Sequence, residues 1–144
     1  MTLGGSKNAA LPVIISSLLT AGKCSYGRVP TLRDVSTTLR LLSRLGVTIE
    51  KDTMGGGCLE LTADRVSQVE APYDLVKTMR ASFLVLGPLL ARFGEARVST
   101  PGGCAIGSRP VNIHLQGLER MGARICQDHG YIDARAGELR GAII

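Results

Sequence analysis

The segment over residues 101–110 combines residue types that could act on an anionic substrate. It reads Pro-Gly-Gly-Cys-Ala-Ile-Gly-Ser-Arg-Pro, with Cys104 near its centre and Arg109 close to its end. Its three glycines let the backbone turn sharply and approach a ligand closely. Arg109 supplies a forked, permanent cation suited to phosphate, and nearby cations favour the thiolate, the reactive form of a cysteine. The segment is therefore predicted to be a loop that carries a reactive cysteine over an anionic substrate.

The end of this segment is also suited to anions. Pro110 is well placed in the first turn of a following helix, whose free N–H groups attract negative charge. The alternative role of Cys104 is that of a small buried apolar residue, which is usual for a free cysteine. The glycines and Arg109 around it favour the reactive role.

Composition limits the classes of function. The 144 residues suffice for one hydrophobic core and are too few for two full domains. The formal net charge of +5 permits phosphorylated small molecules or nucleic acid as partners, but Lys and Arg are scattered and aromatic residues make up only 3%. Because nucleic-acid grooves cluster basic residues and use aromatic stacking, we expect no nucleic-acid partner.

The cysteines and the apolar stretches indicate the compartment. Cys24, Cys58, Cys104 and Cys126 form no C-x-x-C pair, and neither histidine completes a zinc-ligand spacing. We therefore expect no metal site and read the isolated thiols as those of a cytoplasmic protein. The longest apolar stretch, near residues 9–19, is too short to span a bilayer, so no membrane partner is expected.

The chain contains an internal repeat. Residues 42–49 (LSRLGVTI) resemble residues 118–125 (LERMGARI), and both stretches end a helical pattern with glycine before a strand. Each repeat is predicted to run helix–strand–helix–strand–strand, which is an α/β pattern. We place repeat 1 at about 7–70 and repeat 2 at about 71–144.

The elements of the two repeats follow from apolar periodicity and from turn residues. In repeat 1 we predict helices over 8–21 and 34–45, with Asp34 as the N-cap of the second, and strands over 24–29, 47–51 and 58–63. In repeat 2 we predict helices over 74–92 and 111–121 and strands over 95–99, 123–127 and 131–135, with Pro88 kinking the first helix. A strand-like piece over 141–144 has no partner in the sequence, so we expect a truncated chain.

Three ordered motifs resemble those of one family. Residues 5–12 (GSKNAALP) are similar to the opening motif of the UDP-N-acetylglucosamine 1-carboxyvinyltransferases, which are enolpyruvyl transferases. Residues 71–82 (APYDLVKTMRAS) resemble their second motif, and residues 101–110 resemble their catalytic loop. The resemblance implies an inside-out α/β barrel with three repeats in each of two domains. This chain would supply two repeats of one incomplete domain, and the third repeat and the opposite domain would be missing.

The resemblance also implies the reaction and its residues. The enolpyruvyl group would move from phosphoenolpyruvate to the 3′-hydroxyl of UDP-N-acetylglucosamine, without metal or organic cofactor, in the first committed step of peptidoglycan synthesis. Cys104 would protonate the methylene carbon of phosphoenolpyruvate and would also form a covalent adduct with this substrate. Lys7 and Arg109 would bind phosphoenolpyruvate, and Asn8 would lie near the attacking hydroxyl. Because the opposite domain completes the site, we expect the fragment to be inactive alone.

A second group of residues would hold the nucleotide sugar. It consists of Arg80, Arg109, Pro110, Val111, Asn112 and Ile113. Residues 110–113 would contact the uridine end largely through backbone groups, and Asn112 stands where family members commonly carry Asp. From the residues alone, Lys7 and Asn8 would be an ordinary helix start and Arg80 a solvated helical side chain.

Two alternatives remain open at this point. The chain could be a non-catalytic fragment that binds phosphate or a nucleotide, or it could be a relative of the RNA 3′-phosphate cyclases, which reuse a similar repeat. The Cys104 segment and the scarcity of aromatic residues argue against the second alternative.

Overall fold

The computed structural model of the protein describes residues 5–51, 58–76, 79–100 and 111–144. Cys104, Arg109 and Pro110 therefore lie outside the described residues. The chain divides into two compact units, Met1–Gln68 and Val69–Ile144.

The described part of the first unit contains two α-helices and a three-stranded sheet. Helix α1 (Lys7–Ile15) continues as a 3-10 turn over Ser16–Leu19 and is followed by strand β1 (Lys23–Tyr26). Helix α2 (Arg33–Leu45) precedes strands β2 (Thr48–Lys51) and β3 (Leu59–Thr62). The sheet has the order β1-β3-β2, and both pairings are antiparallel. The predicted order helix–strand–helix–strand–strand is confirmed here.

The core of this unit comes from apolar residues at helical spacing on α1 and α2. Leu11, Ile14 and Ile15 are buried on α1, and Leu41, Leu42 and Leu45 are fully buried on α2. Leu59 and Leu61 alternate with half-buried residues along β3, as expected for a strand with one face on the core. Burial of each such side chain contributes about 1.5–3 kcal/mol. This packing holds the N-termini of α1 and α2 in a fixed relationship.

Gly46 ends α2 as the sequence predicts. It adopts a left-handed conformation with φ of 104°, and the N–H of Val47 donates to the Leu42 carbonyl at 3.0 Å. The N–H of Ser67 in turn donates to the Leu45 carbonyl at 3.0 Å. A Cβ at Gly46 would lie 2.5 Å from the Arg65 carbonyl oxygen, so only glycine fits this junction.

The second unit contains a four-stranded sheet. Strand β4 (Glu70–Ala71) is followed by helix α3 (Tyr73–Val76), a 3-10 turn over Arg80–Val85 and helix α4 (Leu86–Phe93). Strand β5 (Glu95–Ser99), helix α5 (Asn112–Arg120) and strands β6 (Arg124–Asp128) and β7 (Tyr131–Arg135) complete it. The order is β4-β5-β7-β6, with β4 parallel to β5 and the other pairings antiparallel.

Three local predictions are wrong. The helix predicted over 74–92 is interrupted, and Pro88 lies in the first turn of α4, where its missing N–H has no intrahelical partner to lose. Asp34 is not the N-cap of α2, because the helix already begins at Arg33 and Leu32 occupies the cap. Residues 141–144 form no strand, and Ile143 and Ile144 are 95% and 71% exposed.

Candidate functional site

The N-terminus of α1 presents the first group of predicted site residues. Ser6 is the N-cap in an extended conformation without a side-chain capping bond, and Lys7 and Asn8 are the first two helical residues, both exposed. The first intrahelical bond runs from the Ala10 N–H to the Ser6 carbonyl at 2.9 Å. The N–H groups before it, together with the helix dipole, favour an anion here. No acidic residue occupies the first turn of α1.

The acidic partner of this N-terminus comes from the neighbouring helix. The Lys7 Nζ lies 3.0 Å from the Asp34 Oδ2, and Asp34 is the second residue of α2. The side chains of Lys7 and Asp34 are 48% and 34% exposed to solvent, so solvent or a ligand can reach the ammonium. Lys7 is therefore a partly exposed cation that is held from one side by a carboxylate.

Proline inside α1 leaves a further polar group near this point. Pro12 has no N–H and cannot make the bond that the Asn8 carbonyl would otherwise accept from the residue four positions later. The Asn8 carbonyl therefore lacks this intrahelical bond, in the same turn that carries Lys7 and the uncapped N–H groups.

A close backbone contact fixes the entry into α1. A Cβ at Gly5 would lie 2.5 Å from the Arg28 carbonyl oxygen, and Arg28 itself has a positive φ of 57°. An open pocket of about 350 Å³ adjoins this entry and is lined partly by Ser6, Ala9 and Tyr26. The segment after β1 therefore sets where the chain turns into α1.

The N-terminus of α5 presents the second group of predicted residues. Val111 is the N-cap, and Asn112 and Ile113 are the first two helical residues. The first intrahelical bond runs from the Leu115 N–H to the Val111 carbonyl at 3.1 Å, and no acidic residue or side-chain cap occupies this end. Asn112 is exposed and Ile113 is 69% exposed. This end offers backbone N–H donors next to an exposed apolar side chain.

The side of α5 that carries Ile113 and His114 adjoins an apolar pocket. Ile113 and His114 line an open pocket of about 420 Å³ together with Phe83 and Met121. The rings of Phe83 and His114 are 6.2 Å apart in an edge-to-face arrangement. His114 is thus an exposed side chain whose ring contacts Phe83 beside this pocket.

The structure brings together some of the predicted residues within each unit. Lys7 and Asn8 are adjacent in the first unit, and Val111, Asn112 and Ile113 are adjacent in the second. Arg80 begins the 3-10 turn between α3 and α4. The predicted roles of Cys104, Arg109 and Pro110 fall outside the described residues and stay predictions.

Two residues of this site, Asp34 and Gly5, are not predicted as such by the sequence. The sequence pattern places Asp34 at a helix cap and Gly5 only within the opening motif. Nothing in the spacing of Lys7 and Asp34 indicates their contact, because it depends on how α1 packs against α2. The signal for Gly5 is present in the sequence, since glycine is the residue that permits a close backbone approach.

A separate charged cluster lies on the sheet of the first unit. The Lys23 Nζ is 2.7 Å from the Glu60 Oε2 and 3.3 Å from the Glu50 Oε2. The hydrogen bond to Glu60, and then that to Glu50, raise the pKa of Lys23, while the hydrogen bond from Lys23 lowers the pKa of Glu60. All three side chains are at the surface, and they join the three strands rather than form a pocket.

Residues 5–51, 58–76, 79–100 and 111–144 contain neither a metal-binding cluster nor a membrane-spanning helix. Within them, no group of three or more His, Cys, Asp or Glu side chains is arranged to hold a metal ion. Cys24, Cys58 and Cys126 are free thiols. Among the same residues, no helix combines the length and the apolar character needed to cross a bilayer.

Comparison with known proteins identifies the class. Residues 1–143 match the family described as EPSP synthase (3-phosphoshikimate 1-carboxyvinyltransferase), so the chain belongs to this family of enolpyruvyl transferases. Among individual relatives, the UDP-N-acetylglucosamine 1-carboxyvinyltransferase of Geobacter metallireducens is 55% identical over 144 residues. That alignment covers 100% of this chain and 34% of the relative, so the chain spans about a third of the relative's length.

Solved structures confirm the fold. The enolpyruvyl transferase NikO from Streptomyces tendae superposes with a TM-score of 0.80 over 95% of this chain and 29% of that chain, at 20% identity. EPSP synthase from Acinetobacter baumannii superposes with a TM-score of 0.69 over 94% of this chain and 33% of that chain, at 14% identity. At these identities the likeness concerns the fold, and the predicted α/β fold of the enolpyruvyl transferases is confirmed.

Proposed function

We propose that the chain is part of an enzyme that transfers the enolpyruvyl group of phosphoenolpyruvate to the 3′-hydroxyl of UDP-N-acetylglucosamine. The observation that carries this proposal is the 55% identity, over the whole chain, to a relative whose name states that activity. The reaction would be the first committed step of peptidoglycan synthesis and would take place in the cytoplasm. It serves cell-wall formation, and so cell shape and division.

The N-terminus of α1 supports a role in binding phosphoenolpyruvate. This substrate carries several negative charges on its phosphate and carboxylate, and an exposed ammonium at an uncapped helix N-terminus can offset part of them. In our proposal Lys7 contacts these groups. Asn8, the next residue on the same turn, lies near the hydroxyl that attacks.

Cys104 would supply the proton that the addition needs. The oxygen of the sugar hydroxyl would form a bond to C2 of phosphoenolpyruvate and pass its proton to a base in the rest of the protein, while the thiol gives its proton to the C3 methylene carbon and becomes a thiolate. C3 would then return a proton to this thiolate as the bond between C2 and the phosphate oxygen breaks. Inorganic phosphate leaves with the proton of the sugar hydroxyl, and the C2–C3 double bond is restored. Arg80 and Arg109 would stabilise the phosphate charges during these steps. The covalent adduct expected at Cys104 forms on the same carbon, C2.

The N-terminus of α5 supports a role in holding the nucleotide sugar. Its N–H groups have no acidic residue or side-chain cap of their own helix, which suits backbone recognition of a polar group. Pro110, Val111, Asn112 and Ile113 would contact the uridine end in this way. Asn112 would act through its backbone, because its side chain lacks the charge of an Asp.

The proposed chemistry uses no metal and no organic cofactor. Electrostatic stabilisation by Lys7, Arg80 and Arg109 would supply much of the rate enhancement, and closure of the Cys104 segment would exclude water. The epoxide fosfomycin, which alkylates the loop cysteine of this family, would act on Cys104. The rest of the protein would provide the opposite domain and complete the site.

A chimera tests this proposal. The corresponding third of the Geobacter metallireducens relative is replaced by this chain, and phosphate release from phosphoenolpyruvate is measured with and without UDP-N-acetylglucosamine. We expect turnover that requires the nucleotide sugar and that is lost in Cys104→Ala. Cys58→Ala is the matched control, because Cys58 is a half-buried thiol next to β3. Our proposal gives Cys58 no role in the reaction, so the Cys58→Ala chimera should keep its turnover.

The outcomes separate the two candidate functions. A folded chimera that binds UDP-N-acetylglucosamine but releases no phosphate would favour the non-catalytic alternative. Turnover that survives Cys104→Ala would contradict the role of the thiol as the acid.

A further inference from the structure

The ion pair between α1 and α2 is more than a surface contact. The Lys7 Nζ and the Asp34 Oδ2 are 3.0 Å apart, and among the described residues no other carboxylate forms an ion pair with Lys7. The two residues lie in the first turns of two different helices that pack against each other. Each helix end would attract an anion; Asp34 lies in the first turn of α2 and pairs with the ammonium that lies in the first turn of α1.

We infer that Asp34 is a positioning residue for Lys7: it holds the ammonium at the N-terminus of α1, ready for the phosphate or carboxylate of the substrate. The inference rests on the proposed function, because it assumes that Lys7 binds an anionic ligand. It assigns to Asp34 a role through Lys7, without contact to the substrate.

The position of Asp34 is itself well fixed. Val35 and Leu39 on the same helix are 4% and 7% exposed, which anchors the first turns of α2 in the core. The Thr38 hydroxyl donates to the Asp34 carbonyl at 3.0 Å. A carboxylate in the first turn is also stabilised by the dipole of its own helix. Asp34 can therefore serve as a rigid reference point for a flexible side chain.

Lys7 needs such a reference point because its side chain is long. The lysine side chain is a flexible stem of four carbons, and ordering it on ligand binding costs conformational entropy. The ammonium has three donors, so a bond to Asp34 leaves two for a ligand on the exposed side. A prior contact to Asp34 thus lowers the ordering cost that the ligand would otherwise bear.

The same carboxylate could instead compete with the ligand for Lys7. Two observations favour positioning over competition. The pair is partly exposed, at 48% and 34%, so solvent and salt weaken the repulsion between Asp34 and a ligand on the far side of the ammonium. The uncapped N–H groups of α1 add attraction that Asp34 does not neutralise by hydrogen bonding to them.

The test measures binding of phosphoenolpyruvate to the 144-residue chain by NMR titration, with the Asn8 amide and the Lys7 ammonium as reporters. The variants are Asp34→Asn, which removes the charge and keeps the shape, and Asp34→Glu, which restores the charge. Asp64→Asn is the matched control, because among the residues that the structure describes the carboxylate of Asp64 pairs with its neighbour Arg65 alone, at 3.7 Å. Lys7→Met tests the proposed function itself.

We expect Asp34→Asn to weaken binding roughly threefold to fivefold, the range of an exposed ion pair. Asp34→Glu should stay within about twofold of the parent chain, and Asp64→Asn should have no effect. Lys7→Met should abolish the saturable shifts at Asn8. If Lys7→Met binds like the parent chain, the role of Lys7 in the proposed function fails. If Lys7→Met loses binding while Asp34→Asn binds equally well or more tightly, the inference about Asp34 alone is overturned.

A second measurement needs no variant. The Lys7 ammonium of the parent chain should be more ordered at low salt than that of Lys51, which is exposed and forms no ion pair among the described residues. An ammonium at Lys7 that is as mobile as that of Lys51 would overturn the inference, even if Asp34→Asn did not fold.

Discussion

Gly5 lies against the backbone of Arg28 so closely that a Cβ at Gly5 would be 2.5 Å from the Arg28 carbonyl oxygen. The same atom would be 2.9 Å from Cδ of Pro30. Because only Ser6 separates Gly5 from Lys7 and Asn8, this contact sets the position of the first turn of α1. The glycine of the opening motif therefore has a structural reason that is independent of any ligand.

Gly5→Ala should destabilise the chain by about 1–3 kcal/mol, since neither the Arg28 carbonyl oxygen nor the Pro30 ring can move away freely. Urea unfolding measures this change. Gly27→Ala is the matched control in the segment that Gly5 contacts, because a Cβ at Gly27 would meet nothing within 4 Å outside its two chain neighbours. Equal stability of the two variants would contradict the close contact.

Gly46 gives a second prediction about the first unit. Alanine there must adopt φ of 104° and place its Cβ 2.5 Å from the Arg65 carbonyl oxygen. We expect Gly46→Ala to lower the free energy of unfolding by about 1–2 kcal/mol or more. Gly117→Ala, inside α5, where a Cβ would make an ordinary contact of 3.5 Å with Cδ1 of Ile144, should raise it by about 0.5–1 kcal/mol. Thermal unfolding of both variants gives the signs, and a stable Gly46→Ala protein would contradict the left-handed junction.

The Lys23 cluster predicts a pH effect. Lys23 lowers the pKa of Glu60 in the folded chain, so the stabilising contribution of this carboxylate is present above its unfolded pKa and is lost as the pH falls through its folded pKa. In Lys23→Met the pKa of Glu60 should rise toward its ordinary value. NMR titration of the Glu60 side chain measures this shift. An unchanged pKa would show that the 2.7 Å ion pair does not persist in solution.

The sequence predicted most of the elements because local signals determine them. Gly46 and Gly122 were expected to end helices, and both have positive φ, of 104° and 100°. β5 and β7 lie over the predicted residues 95–99 and 131–135. These elements follow from apolar periodicity and from the left-handed conformation that glycine tolerates.

The sequence could not predict features that depend on tertiary packing. The apolar pattern over 74–92 is continuous, yet the chain there forms separate helical pieces, and β4 is a two-residue strand defined only by its pairing with β5. The pairing of Lys7 with Asp34 likewise arises from the packing of α1 against α2. Motif resemblance indicated Lys7 and Asn8 as site residues, while the partner that holds Lys7 became visible only in the structure.

The measurement that tests the central claim most directly is mass spectrometry of the chain after exposure to fosfomycin, with and without UDP-N-acetylglucosamine. Our account predicts a single adduct on Cys104 that forms faster when the nucleotide sugar is present, with Cys24, Cys58 and Cys126 unmodified. Slow labelling of all four cysteines at equal rates, unaffected by the nucleotide sugar, would contradict it.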